Sequence, residues 1–404
     1  MRLKVTAPGT LRKCTVDLPP SKSIANRMLI MSALNGISPD KTLGRPLADL
    51  CDDIRVLAQL LQSNETVADV GAAGTAMRFA TAYLSVTPGT RIITGTERLR
   101  ERPIGILVEA LRTLGAEIEY TDKEGFPPLK ITGNPAMQGG TIELDGSVSS
   151  QFISALLMIA PTLADGLVLK LKGQVVSRPY IDITVGLMKQ FGATAEWKDK
   201  NTIVVAHGYN SLPSGKAIPI EADWTASSYW YEIASIAGCP SAFGLKGLSM
   251  QSLQGDKVCD SIYRQIAAVQ GSGDMFEYDF SECPDLVQTI VVTCCMENIR
   301  FHFTGLKTLR IKETDRISAL QCELAKLGYT IDADADSMTW DGTYAPPSAI
   351  PSISTYKDHR MAMAFAPCAL KLKEIIIEDP GVVSKSYPSY WQDLEKAGFA
   401  LCYI

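Results

Sequence analysis

The sequence predicts an α/β protein of two domains, and two observations support that prediction. The first is length, because 404 residues exceed what a single hydrophobic core usually supports. The second is a recurring pattern in which an amphipathic helix ends at a glycine and an apolar-alternating strand follows. Helices that alternate with short strands are typical of α/β or α+β layers and not of a helical bundle. The hydrophobic content of 46% excludes a disordered chain.

The helix–glycine–strand pattern occurs in five clear copies, and a glycine just after a helix suits the left-handed cap conformation. The copies are LVEALRTLGAEIEY, VGLMKQFGATAEW, IYRQIAAVQGSGDMFEY, LQCELAKLGYTIDAD and YWQDLEKAGFALCYI. A weaker sixth copy, IRVLAQLLQSNETVADV, has Asn64 in place of the glycine. Six units of about 60–75 residues divide most simply into two domains of three. Segment 205–219 is rich in Gly, Pro and Ser and is the predicted linker.

Composition narrows the classes of function. The net charge of −5 gives no reason to expect nucleic-acid binding. Because no apolar run reaches the roughly 18 residues of a membrane helix, we expect a soluble protein without a membrane partner. The first twenty residues read as strand, turn and strand and not as a targeting peptide. Ten cysteines without a C-x-x-C pair and three isolated histidines favour reduced thiols over disulfides or a metal site.

Basic residues occur repeatedly at the predicted starts of helices, where the helix dipole makes positive charge mildly unfavourable. They are Lys22, Arg27, Arg78, Arg102, Lys312, Arg316, Arg360 and Lys385. A shared explanation is anion binding, since free N–H groups, hydroxyls and cations together hold phosphate or carboxylate. If the helix starts of two domains faced one cleft, that cleft would be strongly positive within an acidic protein and would attract multiply charged anions.

Two further helix starts carry hydroxyl groups, and two carboxylates accompany the basic residues. Ser149, Ser150 and Gln151 precede a wholly apolar helix, and Ser177 and Tyr180 flank Pro179. Such serines are commonly helix caps, but they can also hold a polyol and its phosphate. For acid–base chemistry the candidates are Asp285 in SECPDLVQTI and Glu313 in IKETDR, and helix capping is the alternative role for Asp285. No G-x-S-x-G, H-E-x-x-H, Walker or G-x-G-x-x-G motif occurs, which argues against nucleotide chemistry.

Nine motifs, in order along the chain, resemble those of the 5-enolpyruvylshikimate-3-phosphate synthase family. They are PSKSIANR, GTAMR, RERPIG, DGSVSSQF, VSRPYIDIT, LQGD, IKETDR, KDHRMAM and SKSYP. The resemblance implies an inside-out α/β barrel in each of two domains, built from three βαβαββ repeats, with helix N-termini facing the interdomain cleft. It implies that domain I comprises 1–18 plus 220–404 and that domain II comprises 19–219.

The resemblance also implies a reaction, in which the enolpyruvyl group of phosphoenolpyruvate moves to the 5-hydroxyl of shikimate 3-phosphate with release of phosphate. The implied catalytic residues are Asp285, Glu313 and Lys22. The implied ligands of shikimate 3-phosphate are Lys22, Ser23, Arg27, Ser149, Ser150, Gln151, Ser177, Tyr180, Asp285 and Lys312. Those of phosphoenolpyruvate are Lys22, Gly74, Arg102, Gln151, Arg316, Arg360 and Lys385. No cofactor or metal is implied, and the expected form is a cytoplasmic monomer whose partners are these two small molecules.

Three positions depart from the family pattern. Pro20 replaces a glycine and stiffens the loop before Lys22, while Ala72 and Thr308 each replace an asparagine and remove an amide near the implied substrates. Gly74 is retained, which leaves room for the herbicide glyphosate. Two alternative functions stay open: the related transferase acting on UDP-N-acetylglucosamine, and an anion-binding relative without catalysis. The first uses a loop cysteine that has no counterpart here, and the second would be expected to have lost Asp285 or Glu313.

Overall fold

The computed structural model describes residues 1–209 and 219–404, which divide into two compact units. The split unit consists of Met1–Pro20 together with Glu221–Ile404, and the continuous unit is Ser21–Ile220. Both units mix helices with short strands, which confirms the predicted α/β class. No helix in the described ranges is long and apolar enough to cross a membrane.

The strands are short and are numbered along the chain. They are β1 (Arg2–Thr6), β2 (Cys14–Asp17), β3 (Val67–Asp69), β4 (Gly89–Thr94), β5 (Glu117–Tyr120), β6 (Leu129–Gly133), β7 (Gly140–Asp145), β8 (Leu167–Lys172), β9 (Ala193–Trp197), β10 (Thr202–Tyr209), β11 (Phe243–Lys246), β12 (Phe276–Asp279), β13 (Phe301–Thr304), β14 (Asp332–Ala333), β15 (Met338–Trp340), β16 (Ser352–Ile353), β17 (Glu374–Glu378) and β18 (Ala400–Tyr403).

The α-helices are numbered in the same way. They are α1 (Lys22–Leu34), α2 (Pro39–Leu43), α3 (Asp52–Gln62), α4 (Gly74–Val86), α5 (Glu97–Arg100), α6 (Gly105–Thr113), α7 (Ser150–Ile159), α8 (Arg178–Gln190), α9 (Trp224–Ile236), α10 (Cys259–Val269), α11 (Val287–Met296), α12 (Arg316–Lys326), α13 (His359–Phe365), α14 (Ala369–Leu372) and α15 (Tyr390–Ala397).

Four sheets share one topology. Each has two parallel strands followed by two antiparallel ones, in the orders β3-β4-β6-β5, β7-β8-β10-β9, β12-β13-β15-β14 and β16-β17-β1-β18. The two parallel strands of each sheet are joined through a helix, as parallel pairs require a long crossover. The repeat is therefore βαβαββ, and it occurs twice in each unit.

The N-terminal strand β1 completes the last sheet, although it is the first strand of the chain. It lies between β17 and β18 and is antiparallel to both. The next strand, β2, pairs with β11 in a separate parallel sheet. The predicted strand–turn–strand at the N-terminus is therefore present, but its two strands belong to different sheets. Between β2 and β11 the chain passes through the whole continuous unit.

Each repeat has one inner and one outer helix. The inner helices are α1, α4 and α7 in the continuous unit and α9, α11 and α13 in the split unit, where all ten residues of α11 and all seven of α13 are buried. A helix that is apolar on every side must lie inside the protein. The outer helices, such as α3 and α10, are amphipathic and expose one face. Besides its two complete copies of the repeat, the continuous unit contains α1, α2 and α3, with no further strand in the described ranges.

The predicted glycine caps hold in the five clear copies of the pattern. Gly115, Gly192, Gly271, Gly328 and Gly398 all have positive φ, between 76° and 106°. The sixth copy differs, because α3 ends at an extended Ser63 and Asn64 is not left-handed.

Three local predictions need correction. The predicted linker at 205–219 begins too early, since β10 continues to Tyr209, which pairs with Ala193 of β9. Residues 210–218 of that segment lie outside the described residues. The helix expected to start beside Arg102 begins only at Gly105, because the amides of Ile104 and Gly105 donate to the carbonyl oxygen of Gly125. Lys385 ends a 3₁₀ turn, and the following helix starts only at Tyr390.

Candidate active site

Asp285 lies at the centre of a charged cluster in the split unit. It follows Pro284 in a 3₁₀ turn that leads into α11, and its carboxylate does not cap that helix. Oδ1 accepts from Nη1 of Arg316 at 3.0 Å, and Oδ2 accepts from Nη2 of Arg360 at 2.8 Å. Lys312 Nζ lies 4.0 Å from Oδ1. Three cations therefore surround one carboxylate.

Arg316 connects this carboxylate to Glu313. The guanidinium is 2% exposed and donates from Nη2 to Glu313 Oε2 at 3.0 Å. The other Glu313 oxygen lies 2.9 Å from Nζ of Lys385. The fork of donors on an arginine suits such simultaneous pairing. The two carboxylates predicted for acid–base chemistry are thus bound by a single guanidinium.

The cluster changes the proton affinities of its members. Burial would raise the pKa of Asp285, but Arg360, Lys312 and Arg316 together outweigh burial and hold that pKa well below its usual range. Burial lowers the pKa of Lys312, and the attraction of Asp285 opposes that effect. Burial also acts on Arg316, yet Asp358, Glu313 and Asp285 raise its pKa above the ordinary value. Because its pKa is low, Asp285 is ionised and can accept hydrogen bonds or a proton.

A second acid near Asp285 behaves in the opposite way. Asp256, in the LQGD motif, is 4% exposed, and one of its oxygens accepts from the hydroxyl of Thr225. Burial and the like charge of Asp285 raise the pKa of Asp256 to about 7. Two neighbouring carboxylates that differ so widely in pKa are a common feature of acid–base sites.

In the continuous unit, Arg27 joins three helices. Its Nε donates to Thr184 Oγ1 at 2.7 Å, and its Nη2 donates to Ser154 Oγ and to the carbonyl oxygen of Tyr180, each at 3.0 Å. Burial lowers the pKa of Arg27 to about 10, so the guanidinium remains charged at neutral pH. Because these partners are neutral, Arg27 retains a positive charge available to an anion.

The start of α4 places two more arginines around Gly74. A Cβ atom added to Gly74 would lie 2.7 Å from Nη1 of Arg102 and 2.8 Å from Nη1 of Arg78. The hydroxyl of Thr75, the next residue, accepts from Nε2 of Gln151 at 3.1 Å, which ties the starts of α4 and α7 together. The predicted phosphoenolpyruvate ligands Gly74, Arg102 and Gln151 therefore lie at neighbouring helix starts.

Lys22 is the first residue of α1, and its ammonium lies 3.1 Å from Oδ2 of Asp53 in α3. The side chain of Asp53 is only 4% exposed, which makes this a buried pair. Ser23, one residue further along α1, contributes its carbonyl oxygen to Nη1 of Arg27 at 2.7 Å. Lys22, Ser23 and Arg27 thus lie together within the first two turns of one helix.

The predicted serines occupy two other helix starts. Ser149 caps α7, where its hydroxyl accepts from the amide of Gln151, and Ser150 is the first residue of the helix. Ser177 precedes α8 in the left-handed conformation, with φ of 52°, and its side chain makes no capping bond. Such a backbone is uncommon for a residue with a side chain and often accompanies a binding site. Tyr180, in the first turn of α8, reaches Arg27 through its carbonyl group.

Sequence reasoning missed two acids that hold the basic residues. Asp358 is the N-cap of α13, where its side chain accepts from the amide of Arg360. It also accepts from Nε of Arg316 at 2.7 Å. Asp53 looked like an ordinary acidic residue in the first turn of an amphipathic helix, and no sequence signal distinguishes it from the adjacent Asp52.

Comparison with known proteins identifies the family. The family model described as EPSP synthase (3-phosphoshikimate 1-carboxyvinyltransferase) matches residues 48–394. The chain belongs to the EPSP synthase family. A 3-phosphoshikimate 1-carboxyvinyltransferase from Bacteroides fragilis is 50% identical over 417 aligned residues, which cover 99% of each chain. One from Photobacterium profundum is 36% identical over 94% of this chain and 95% of its own.

Solved structures agree with this EPSP synthase family membership at the level of the fold. An EPSP synthase from Acinetobacter baumannii superposes with a TM-score of 0.72 at 18% identity and covers 100% of both chains. The enolpyruvyl transferase NikO from Streptomyces tendae has a TM-score of 0.66 at 14% identity, over 100% of this chain and 99% of its own. In the described residues, no group of three or more His, Cys, Asp or Glu side chains could hold a metal ion.

Proposed function

We propose that this protein transfers the enolpyruvyl group of phosphoenolpyruvate to the 5-hydroxyl of shikimate 3-phosphate, a step in chorismate and aromatic amino acid biosynthesis. The observation that carries the proposal is the pairing of Asp285 and Glu313 with one buried guanidinium, that of Arg316. Addition to the double bond of an enol phosphate and later elimination both need a proton acceptor and a proton donor. The arrangement supplies two carboxylates for that purpose.

The first half of the proposed reaction is an addition. Asp285 takes the proton of the 5-hydroxyl while that oxygen bonds to the central carbon of phosphoenolpyruvate, and Glu313 delivers a proton to the methylene carbon. The low pKa of Asp285 keeps it ionised and ready to accept, although it makes Asp285 a weak base in the absence of substrate. Substrate that takes over Arg360 or Lys312 would remove part of this stabilisation and strengthen the base.

The second half is an elimination, in which the proton transfers run in the opposite sense. The methyl group gives a proton to Glu313, the carbon–oxygen bond to phosphate breaks, and the enolpyruvyl double bond forms again. The proton that Asp285 took in the addition passes to the departing phosphate. Lys385, 2.9 Å from Glu313, is suited to stabilise the charge that alternates on that carboxylate. Such acid–base steps typically contribute about 10²–10⁴ each to the rate.

The binding residues are assigned by their match to the motifs of the family. For shikimate 3-phosphate we assign Lys22, Ser23, Arg27, Ser149, Ser150, Gln151, Ser177, Tyr180, Asp285 and Lys312. For phosphoenolpyruvate we assign Lys22, Gly74, Arg102, Gln151, Arg316, Arg360 and Lys385. Arg27, which carries its charge among neutral partners, supports a phosphate ligand in the continuous unit. Arg316 and Arg360 are both paired with Asp285. To bind the carboxylate of phosphoenolpyruvate, they must release the carboxylate of Asp285.

The proposal also covers the contribution of each unit and the place of the reaction in the cell. The continuous unit would contribute most ligands of shikimate 3-phosphate, and the split unit would contribute both acid–base residues. We place the reaction in the cytoplasm, carried out by a monomer that needs no metal or organic cofactor.

The decisive experiment mixes the purified protein with shikimate 3-phosphate and phosphoenolpyruvate and follows the release of phosphate. We expect release that depends on both substrates, with 5-enolpyruvylshikimate 3-phosphate as the second product. Release with UDP-N-acetylglucosamine in place of shikimate 3-phosphate would assign the related transferase activity instead. Absence of release with either acceptor would leave an anion-binding protein and would refute the proposal.

Two variants test the roles of the carboxylates. Glu313→Gln and Asp285→Ala should each lower turnover by at least about a hundredfold, because each removes one proton-transfer group. A matched control is Glu101→Gln, which changes an exposed acid that pairs with Arg98 on the surface. Circular dichroism should be unchanged in all three proteins. Turnover close to that of the unmodified protein in either site variant would overturn the role assigned to that residue.

A further inference from the structure

We propose that Glu323 and Tyr356 are positioning residues for Arg316 and Arg360, acting through residues 354–358, which we call the strap. The inference rests on the proposed function, because it concerns the grip of those two arginines on phosphoenolpyruvate. The strap connects β16 to α13 and lies against α12 in the split unit. Neither Glu323 nor Tyr356 belongs to the residues assigned to substrate binding.

Glu323 is a buried acid whose partners come largely from the strap. Its side chain is 0% exposed. Oε2 accepts from the backbone amide of Ser354 at 3.0 Å, and Oε1 accepts from the hydroxyl of Tyr356 at 2.6 Å. Its cationic partner, Lys326, lies 2.7 Å away and is largely solvent-exposed. A buried carboxylate is costly without its donors, so Glu323 and the strap hold each other in place.

The strap has a backbone conformation that its surroundings must maintain. Tyr356 and Lys357 have φ values of 54° and 58°, and neither is glycine. Consecutive left-handed residues with side chains are rare and persist only where the surrounding contacts determine them. The amide of Asp358 donates to the carbonyl oxygen of Thr355 at 2.8 Å, which closes the turn. The hydroxyl of Ser354 donates to Glu378 on β17 at 2.8 Å and anchors the other side.

The far end of the strap carries the residue that orients both arginines. Asp358 is 0% exposed, and its Oδ2 accepts from Nε of Arg316 at 2.7 Å. Its Oδ1 accepts from the amide of Arg360 at 3.0 Å, where α13 begins. The left-handed turn therefore determines where Asp358 lies. Asp358 in turn holds the guanidinium of Arg316 and the backbone amide of Arg360.

Helix α12 holds the strap at two points, Arg316 and Glu323. These residues are seven apart, which is about two helical turns and about 10 Å, so both face the same side of the helix. Between the two points the strap is fixed in length and conformation. A loss of the Glu323 contact would release the turn and allow Asp358 to shift relative to Arg316.

The experiment uses Tyr356→Phe, which removes only the hydroxyl that bonds to Glu323. The side chain is 39% exposed, so the variant should fold normally. We expect the KM for phosphoenolpyruvate to rise about fivefold, which is the size of effect that follows the loss of one typical hydrogen bond. The KM for shikimate 3-phosphate should stay within twofold of the unmodified value. A purely structural role would lower the active fraction and so reduce kcat without separating the two KM values.

Three further variants test whether the effect of Tyr356→Phe is specific. Tyr344→Phe makes the same chemical change at another exposed tyrosine of the split unit and should leave both KM values unchanged. Lys357→Gly relieves the left-handed conformation while keeping the bonds to Glu323, and should also leave both KM values unchanged. Glu323→Gln should raise the KM for phosphoenolpyruvate in the same direction as Tyr356→Phe.

The outcomes separate this inference from the function on which it rests. Unchanged KM values in Tyr356→Phe, equal rises in both KM values, or a fall in kcat alone would overturn the role of the strap while the reaction stands. Failure of the unmodified protein to turn over the two substrates would overturn the proposed function, and the inference with it.

Discussion

The Nε atom of Arg316 lies 2.7 Å from Oδ2 of Asp358, and the two side chains are 2% and 0% exposed. The same guanidinium reaches Asp285 and Glu313, so one arginine is bound to three carboxylates. Each of the three guanidinium nitrogens of Arg316 donates to at least one of these acids. Asp358 is the most deeply buried of the three and fixes the direction of the group.

Asp358→Asn should destabilise the protein strongly, because it leaves a buried guanidinium without one of its charges. We expect a loss of about 3 kcal/mol in the free energy of unfolding, measured by urea denaturation. Glu101→Gln, which changes the exposed pair with Arg98, should alter the same quantity by less than about 1 kcal/mol. Similar losses in the two variants would show that burial of the Arg316–Asp358 pair has no special importance.

The raised pKa of Asp256 predicts a stability that falls as pH increases. An unfolded aspartate titrates near 4, whereas burial and Asp285 raise the pKa of Asp256 in the fold to about 7. Between these two values the folded state holds a proton that the unfolded state has lost. Asp256 should therefore lower the free energy of unfolding by up to about 1.4 kcal/mol per pH unit across this window, with no further change above it.

Urea denaturation of the unmodified protein and of Asp256→Asn, compared at several pH values from about 4.5 to 8, measures this contribution. The difference between the two proteins should change with pH below about 7 and become constant above it. Thr225→Val removes a hydrogen bond that lowers this pKa and should move the end of the window upward. Parallel stability curves for the unmodified protein and Asp256→Asn would contradict the assignment.

Gly74→Ala should impair binding with little effect on the fold. The added Cβ would meet the guanidinium ends of Arg102 and Arg78 at 2.7 and 2.8 Å, and such flexible ends can move aside. Because Arg102 is assigned to phosphoenolpyruvate, we expect the KM for that substrate to rise about tenfold, with an unchanged unfolding midpoint. Gly9→Ala, where nothing lies within 4 Å of the added atom, serves as control. An unchanged KM in Gly74→Ala would remove Gly74 and Arg102 from the proposed site.

Asp53→Asn should weaken the binding of both substrates through Lys22. The ammonium of Lys22 lies 3.1 Å from the buried Asp53 carboxylate, which holds it at the start of α1. Steady-state kinetics should show about a tenfold fall in kcat/KM for each substrate. Asp52→Asn alters the neighbouring acid, which pairs with Arg55 and is 36% exposed, and should change kcat/KM by less than twofold. Equal effects of the two substitutions would mean that Asp53 does not position Lys22.

Elements with a local signal could be predicted from the sequence. The five glycine stops are left-handed caps because only glycine adopts positive φ without strain, and that requirement is local. The cap of α13 at Asp358 and the start of α7 at Ser150 follow equally local hydrogen bonds. Predictions that depended on distant partners were less accurate. The linker was placed too early because the sequence does not show that β10 pairs with two other strands.

The sequence by itself determined the repeat, the α/β class and, through its nine motifs, the family and the residues of the proposed site. These depend on the identity and spacing of neighbouring residues, which act over one or two turns of chain. Only the tertiary structure decided that Arg316 binds three acids, that β1 completes the last sheet, and that Glu323 holds the strap. Each of these contacts joins residues whose separation in sequence carries no periodic signal, because packing and electrostatics act through space.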